Sequence, residues 1–164
     1  MSNIANYNKT NLKDKTVKKV EEKLSILTFR IKNNIYGIDI KYVDSVANDL
    51  TKSKGEKEKN LYSMVSYREN IIPLLDLYTY LYGSTKEQYK EVSNNQIIVK
   101  VNESKLGLEV SEIKDIVEID KKHIIDVIPL LRDRLYMVSG FVQMGDELIS
   151  IINIEEIFKF VSNS

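Results

Sequence analysis

The sequence predicts an all-β fold built as two small barrels, and three observations predict it. The chain repeats itself, it breaks into many short apolar runs bounded by turn residues, and its helical spacings are brief. Moving FRIKNNIYGIDIKYVDSV (Phe29–Val46) along by 70 positions lays it without a gap on VKVNESKLGLEVSEIKDI (Val99–Ile116). Apolar then meets apolar: Phe29 with Val99, Ile31 with Val101, Tyr36 with Leu106, Ile38 with Leu108, Ile40 with Val110, Val43 with Ile113 and Val46 with Ile116, while Gly37 meets Gly107. A second block repeats at an offset of 77, placing MVSYRENIIPLLDL (Met64–Leu77) on FVQMGDELISIINI (Phe141–Ile154). Two blocks in the same order imply two similar subdomains, with approximate halves 24–90 and 95–162.

Residues 1–23 are rich in Asn and Lys and read as a flexible extension, in which VKKVEEKL (Val17–Leu24) has the spacing of one or two amphipathic helical turns. Leu24 to Ile40 alternates apolar and polar on either side of Asn33-Asn34, a pair suited to the positive φ of a hairpin turn. NDLTKSKGEKEKN (Asn48–Asn60) is charged and almost free of apolar residues, which predicts a mobile surface loop. Met64 to Leu77 reads as two strands joined through Arg68-Glu69-Asn70. The second, IIPLLDL, is apolar enough for burial on both faces, and Pro73 favours an edge or a bulge. YTYLYG (Tyr78–Gly83) predicts a short helical turn stopped by Gly83, with a polar linker to Asn95.

The second copy repeats the two strands to Asp120 and passes a segment around Pro129. It continues as strands over Tyr136–Val142 and Glu147–Ile154 joined at Gly145-Asp146. Ile154, Ile157, Phe158 and Val161 have the spacing of a short closing helix. Closing each half into a barrel also removes exposed strand edges.

A length of 164 residues with 43% hydrophobic content can bury a core. Lys+Arg 24 against Asp+Glu 24 leaves no net charge with which to attract nucleic acid or an acidic membrane. Cysteine is absent, which excludes disulfides and thiolate chemistry and fits a reducing compartment. No apolar run approaches the roughly 18 residues of a membrane span, and the N-terminus lacks the apolar stretch of a signal peptide, so the chain reads as cytoplasmic without membrane insertion.

These residues resemble a family. FRIKNNIYGIDIKYVDSV followed by SMVSYRENIIPLLDL, then KLGLEVSEIKDIVEI and IPLLRDRLYMVSGFVQMGDELISIINIEEIF in the same order, resembles the CheW-like domain of bacterial chemotaxis over about Leu24–Val161. The resemblance implies two SH3-like five-stranded barrels packed around a shared hydrophobic core, with short helices including one at the C-terminus. It implies a noncatalytic adaptor without cofactors, which links chemoreceptor cytoplasmic tips to the regulatory domain of a CheA-type histidine kinase. It places the receptor in a groove between the barrels near an arginine whose position Arg68 occupies, and apolar partner-facing surface at Val43 and Val46. The chain departs from the family pattern at Ser63, where the family has glycine, and at Ser66-Tyr67-Arg68-Glu69, where it has Asn-Leu-Arg-Gly. Glu69 is expected to supply neither the positive φ nor the close approach of that glycine, and it sets a negative charge beside Arg68.

The candidate partner-binding residues are therefore Val43, Val46, Tyr67, Arg68 and Glu69. A guanidinium fork suits carboxylates and carbonyls, although an arginine in a turn is often simply solvated and a strand valine is more often core. Tyr62, Tyr67, Tyr78, Tyr80, Tyr82 and Tyr89 offer interface area with polar tips, against a reading as core side chains whose hydroxyls reach the surface. His123, the one histidine, stands beside Lys121 and Lys122 and reads as a surface residue, neither a metal ligand nor a triad member. Asp115, Glu118, Asp120, Glu155 and Glu156 read as solvated charge, and the six glycines form no phosphate loop. The rival reading is a small barrel that binds single-stranded nucleic acid by stacking on these tyrosines. Charge neutrality opposes it, and a flat salt dependence of oligonucleotide binding would remove it.

Overall fold

The computed structural model describes residues 21–48, 50, 62–83, 95–133 and 135–163. The first copy of the repeat supplies β1 (Lys23–Ile31), β2 (Asn34–Asp39), β3 (Val43–Asn48), β4 (Tyr62–Tyr67), β5 (Asn70–Asp76) and helix α1 (Leu77–Tyr82). The second supplies β6 (Asn95–Val101), β7 (Ser104–Val110), β8 (Glu112–Asp120), the two-residue β9 (Ile125–Asp126), β10 (Val138–Met144), β11 (Glu147–Ile152) and helix α2 (Ile154–Ser162). The segment around Pro129 is a 3-10 turn, Pro129–Leu131. The N-terminal extension up to residue 20, most of the charged loop after Asn48, the linker after Gly83 and Tyr89 lie outside the described residues.

The strands form two sheets, and neither sheet belongs to one copy. One runs β8-β1-β2-β11-β10-β9 and the other β3-β6-β7-β5-β4. Each copy thus donates its first hairpin to the sheet that holds the other copy's remaining strands. The repeat is nevertheless kept to the residue. Gly37 pairs with Ile151 across the parallel β2–β11 contact, and Gly107 pairs with Leu74 across the parallel β7–β5 contact. Phe29 pairs with Ile113 and Leu27 with Ile116, just as Val99 pairs with Val43 and Ile97 with Val46. Both long antiparallel pairings shift register at the same place, between Leu27 and Phe29 and between Val43 and Ser45.

Burial follows from this exchange. The central core joins Phe29, Ile31, Tyr36 and Ile38 of one hairpin to Val99, Leu106 and Leu108 of the other, and is capped by Leu75, Leu77, Ile152, Ile154 and Ile157. Each sheet also wraps a smaller core of its own: Ile26, Ile35, Val142, Ile149 and Ile151 in the first, Val65, Tyr67, Ile72, Leu74 and Ile98 in the second. Adjacent residues such as Ile26 and Leu27 therefore enter different cores, as alternating side chains of a strand buried on both faces must. Gly37 and Gly107 lie where this stacking leaves no room for a side chain, since an added Cβ would come within 2.7 Å of Ile26 Cδ1 and 2.8 Å of Leu74 Cδ1. The helices start alike. Asp76 accepts from the Thr79 N–H and Asn153 from the Glu156 N–H, satisfying first-turn donors that the helices leave free.

Several expectations are corrected. The hydrogen-bonded strand orders are open, with six strands in one sheet and five in the other, so the pairing alone does not close two five-stranded barrels, and the sheets mix the copies instead of following them. The first hairpin turns at Lys32–Asn33, not Asn33-Asn34, because Ile31 pairs with Asn34 and Lys32 takes the positive φ of 53°. Its repeat equivalent Asn102 does the same. Pro73 sits in an internal strand, without a bulge. Counting from the turn, Met64–Pro73 falls on a pair that exchanges no backbone hydrogen bonds, and pairing to β7 begins one residue later at Leu74, so the missing N–H is tolerated. The two strands expected up to Asp120 are three, β6, β7 and β8, because the chain turns again at Ser111 to pair with β1. The strand expected at Tyr136 begins at Val138, and Ile154 starts α2. Ile71 is 73% exposed, so burial on both faces of β5 applies only from Ile72 onward.

Candidate partner-binding surface

The β4–β5 turn holds two consecutive left-handed residues that bear side chains. Tyr67 pairs with Asn70, leaving Arg68 and Glu69 as a two-residue turn with φ of 45° and 65°. Consecutive left-handed residues match the right-handed twist of a hairpin. The expectation that Glu69 cannot supply positive φ is corrected: it adopts it, at a cost on the order of 1 kcal/mol for a residue bearing a Cβ. The Asn70 side-chain amide donates to the Arg68 carbonyl at 3.2 Å and helps hold the turn.

A polar cluster supports it from below. The bulge in β3 leaves Asp44 as the extra residue opposite β6 and re-aims its side chain. The Tyr67 hydroxyl donates to Asp44 Oδ2 at 3.1 Å and shares a short hydrogen bond with Ser45 Oγ. Lys105 Nζ lies 3.4 Å from the same carboxylate oxygen and Arg68 Nη1 3.9 Å. Both cations also lie over the Tyr67 ring, at 5.0 Å for Arg68 and 5.5 Å for Lys105. Burial pushes the Asp44 carboxyl up, but hydrogen bonds from Tyr67 and Lys105 and the charges of Lys105 and Arg68 outweigh it, holding the group below the ordinary carboxylate range.

Of the five candidate residues, Tyr67 and Arg68 meet in this cluster, and Glu69 projects beside them at an exposed position. Val46 lies on the same strand as Asp44 and is 54% exposed, whereas Val43 packs against the central core. Sequence reasoning missed Asp44 and Lys105. Their partner Tyr67 is 23 residues from Asp44, and nothing in the local pattern announces a bulge. Beside the turn, Asn70, Ile71, Pro73, Lys100, Lys105 and Phe158 help line a cleft of about 590 Å³ between β5, the β6–β7 hairpin and α2.

The other candidates are plain. His123 is exposed in a 3-10 turn with Lys121 and Lys122. Among the described residues no three His, Asp or Glu side chains gather as metal ligands would. Tyr67 is buried, Tyr62, Tyr78 and Tyr80 pack on the central core, and the exposed Tyr82 bonds to Asn34 and Tyr36. Most of these rings serve packing, with hydroxyls near the surface.

The fold defines a class: a two-sheet domain, internally duplicated, in which each copy completes the other's sheet. A family model for the CheW-like domain matches residues 25–161, and the chain belongs to that family. Among solved structures it is similar to the scaffolding protein TtCheW from Thermoanaerobacter tengcongensis. The identity is 26%, the match covers 80% of this chain and 90% of that one, and the TM-score is 0.69. No curated protein matches it. Among the described residues no helix is long and apolar enough to cross a membrane.

Proposed function

We propose that this chain is a noncatalytic, cytoplasmic chemotaxis adaptor that scaffolds the regulatory domain of a CheA-type histidine kinase and a chemoreceptor tip through protein contacts alone. Its membership of the CheW-like family across both sheets carries the reading. Each sheet then serves as one SH3-like barrel. The Tyr67 hydroxyl draws edge strands β4 and β3 together in one, and the four residues from Lys121 to Ile124 join edge strands β8 and β9 in the other. The receptor tip docks at the Arg68 turn and its neighbouring cleft. Val46, Arg68 and Glu69 meet partners, with Val43 and Tyr67 setting the strand and turn beneath them.

Isothermal titration against the CheA regulatory domain and a receptor cytoplasmic fragment from the same cell tests this. The expected result is saturable one-to-one binding in the micromolar range, as modest signalling interfaces give. Arg68→Ala should weaken only the receptor titration, and Val46→Asp should weaken association without unfolding the protein. Absence of binding at high micromolar concentration would move the function to another partner.

A further inference from the structure

The turns Arg68–Glu69 and Gly145–Asp146 occupy equivalent places in the two copies, each closed by a strand pair, Tyr67 with Asn70 and Met144 with Glu147. The second copy sets Gly145, at φ 60°, in the place of Arg68, and Asp146, which is not left-handed, in the place of Glu69. The first holds two charged side chains at φ 45° and 65°, where glycine would sit without strain. The fold does not demand a left-handed residue in the place of Glu69, since its repeat equivalent Asp146 is not one. The two charges also differ in their engagement. Arg68 lies against Asp44 and the Tyr67 ring, and Lys105 shares that carboxylate. Glu69 is exposed, and no described residue gives it an ion pair. It stands two residues from Ile71, which is 73% exposed.

We propose that Glu69 is the specificity-determining residue of this surface, selecting a partner whose docking face carries a lysine or arginine opposite the turn. A partner laid on Ile71 and the cleft brings the carboxylate to the rim of the contact, where it favours a cation and rejects an acidic face. This rests on the reading that the receptor tip docks at the turn.

The test titrates a chemoreceptor cytoplasmic fragment from the same cell into the full chain and its Glu69→Gln, Glu69→Lys and Glu69→Gly variants at low and high salt, with thermal denaturation of each. Glu69→Gln should weaken binding about fivefold at low salt, the upper end for an exposed ion pair, and the difference should shrink as salt rises. Glu69→Lys should weaken it further. Glu69→Gly should lose affinity like Glu69→Gln yet melt about 2 °C higher, because the strain is relieved. Equal binding by wild type and Glu69→Gln at both salts overturns the assignment, as does a Glu69→Gly protein that melts no higher. A wild type that binds no receptor fragment overturns the adaptor reading at this turn, and the role of Glu69 with it.

Discussion

The two sheets share one plan but bring their edges together by different chemistry. In the sheet ending at β3 and β4, the tie is polar: Tyr67 reaches from β4 to Asp44 and Ser45 on β3. In the other sheet the repeat equivalents of Tyr67 and Asp44 are Met144 and Lys114, and no such bond forms between them. There the chain itself makes the connection. Lys121 to Ile124 carries β8 into β9, which pairs with β10, and Ile124 packs into the local core over Gly140. The lesson concerns what duplication preserves. Registers, bulges and helix caps persist because every one of them positions buried side chains, whereas the sheet edges face water and accept any solution that satisfies their polar groups.

Four experiments break or sharpen that contrast. The central core belongs to both copies, so truncation there should harm both sheets at once: Phe29→Ala is expected to cost about 3–5 kcal/mol, measured by denaturant unfolding. A loss of structure confined to one sheet, seen by hydrogen exchange, would mean that the core is not shared. Next in size is an exchange of equivalent residues. A Cβ at Gly140 would come within 2.7 Å of Ile124 Cγ2 and 3.1 Å of the Ile125 carbonyl oxygen, whereas its counterpart in the first copy is Ser63. Gly140→Ser should therefore cost about 1–3 kcal/mol and Ser63→Gly much less, and equal effects would dissolve the distinction.

Smaller still is the polar tie. Tyr67→Phe keeps the ring and removes the hydroxyl, and should cost about 1 kcal/mol in chemical denaturation while leaving the β9 side unchanged. The slightest effect is the pH dependence of Asp44. Its carboxyl is held below the ordinary range when folded, so its contribution is present above the unfolded pKa of about 3.9 and is lost as pH falls through the lower folded value. Asp44→Asn should flatten the melting temperature against pH in the acid range. An unchanged slope would show that Asp44 gains nothing from Tyr67, Lys105 and Arg68.

Much of the fold was legible because it rests on pattern. The two offsets pair Gly37 with Gly107 and Asp76 with Asn153, and these are the close approaches and helix caps of the structure. Gly83 does stop α1, at φ 78°. The candidate surface was half legible. Tyr67, Arg68 and Glu69 are contiguous and sit between two apolar runs, so a turn there was readable, but the left-handed backbone of Glu69 was not, because propensity assigns it to glycine and the flanking strands override propensity.

The sequence by itself determined the duplication, the leading hairpin of each copy, the helix ends and the family, since each is written in local periodicity or in the order of similar segments. Tertiary structure alone decided that each copy lends its first hairpin to the other's sheet, that a bulge turns Asp44 toward Tyr67 and Lys105, and that Val43 faces inward while Val46 faces out. Those outcomes depend on which strands pair across long separations. A periodic pattern states which face of a strand is apolar and is silent about the strand on which that face will close.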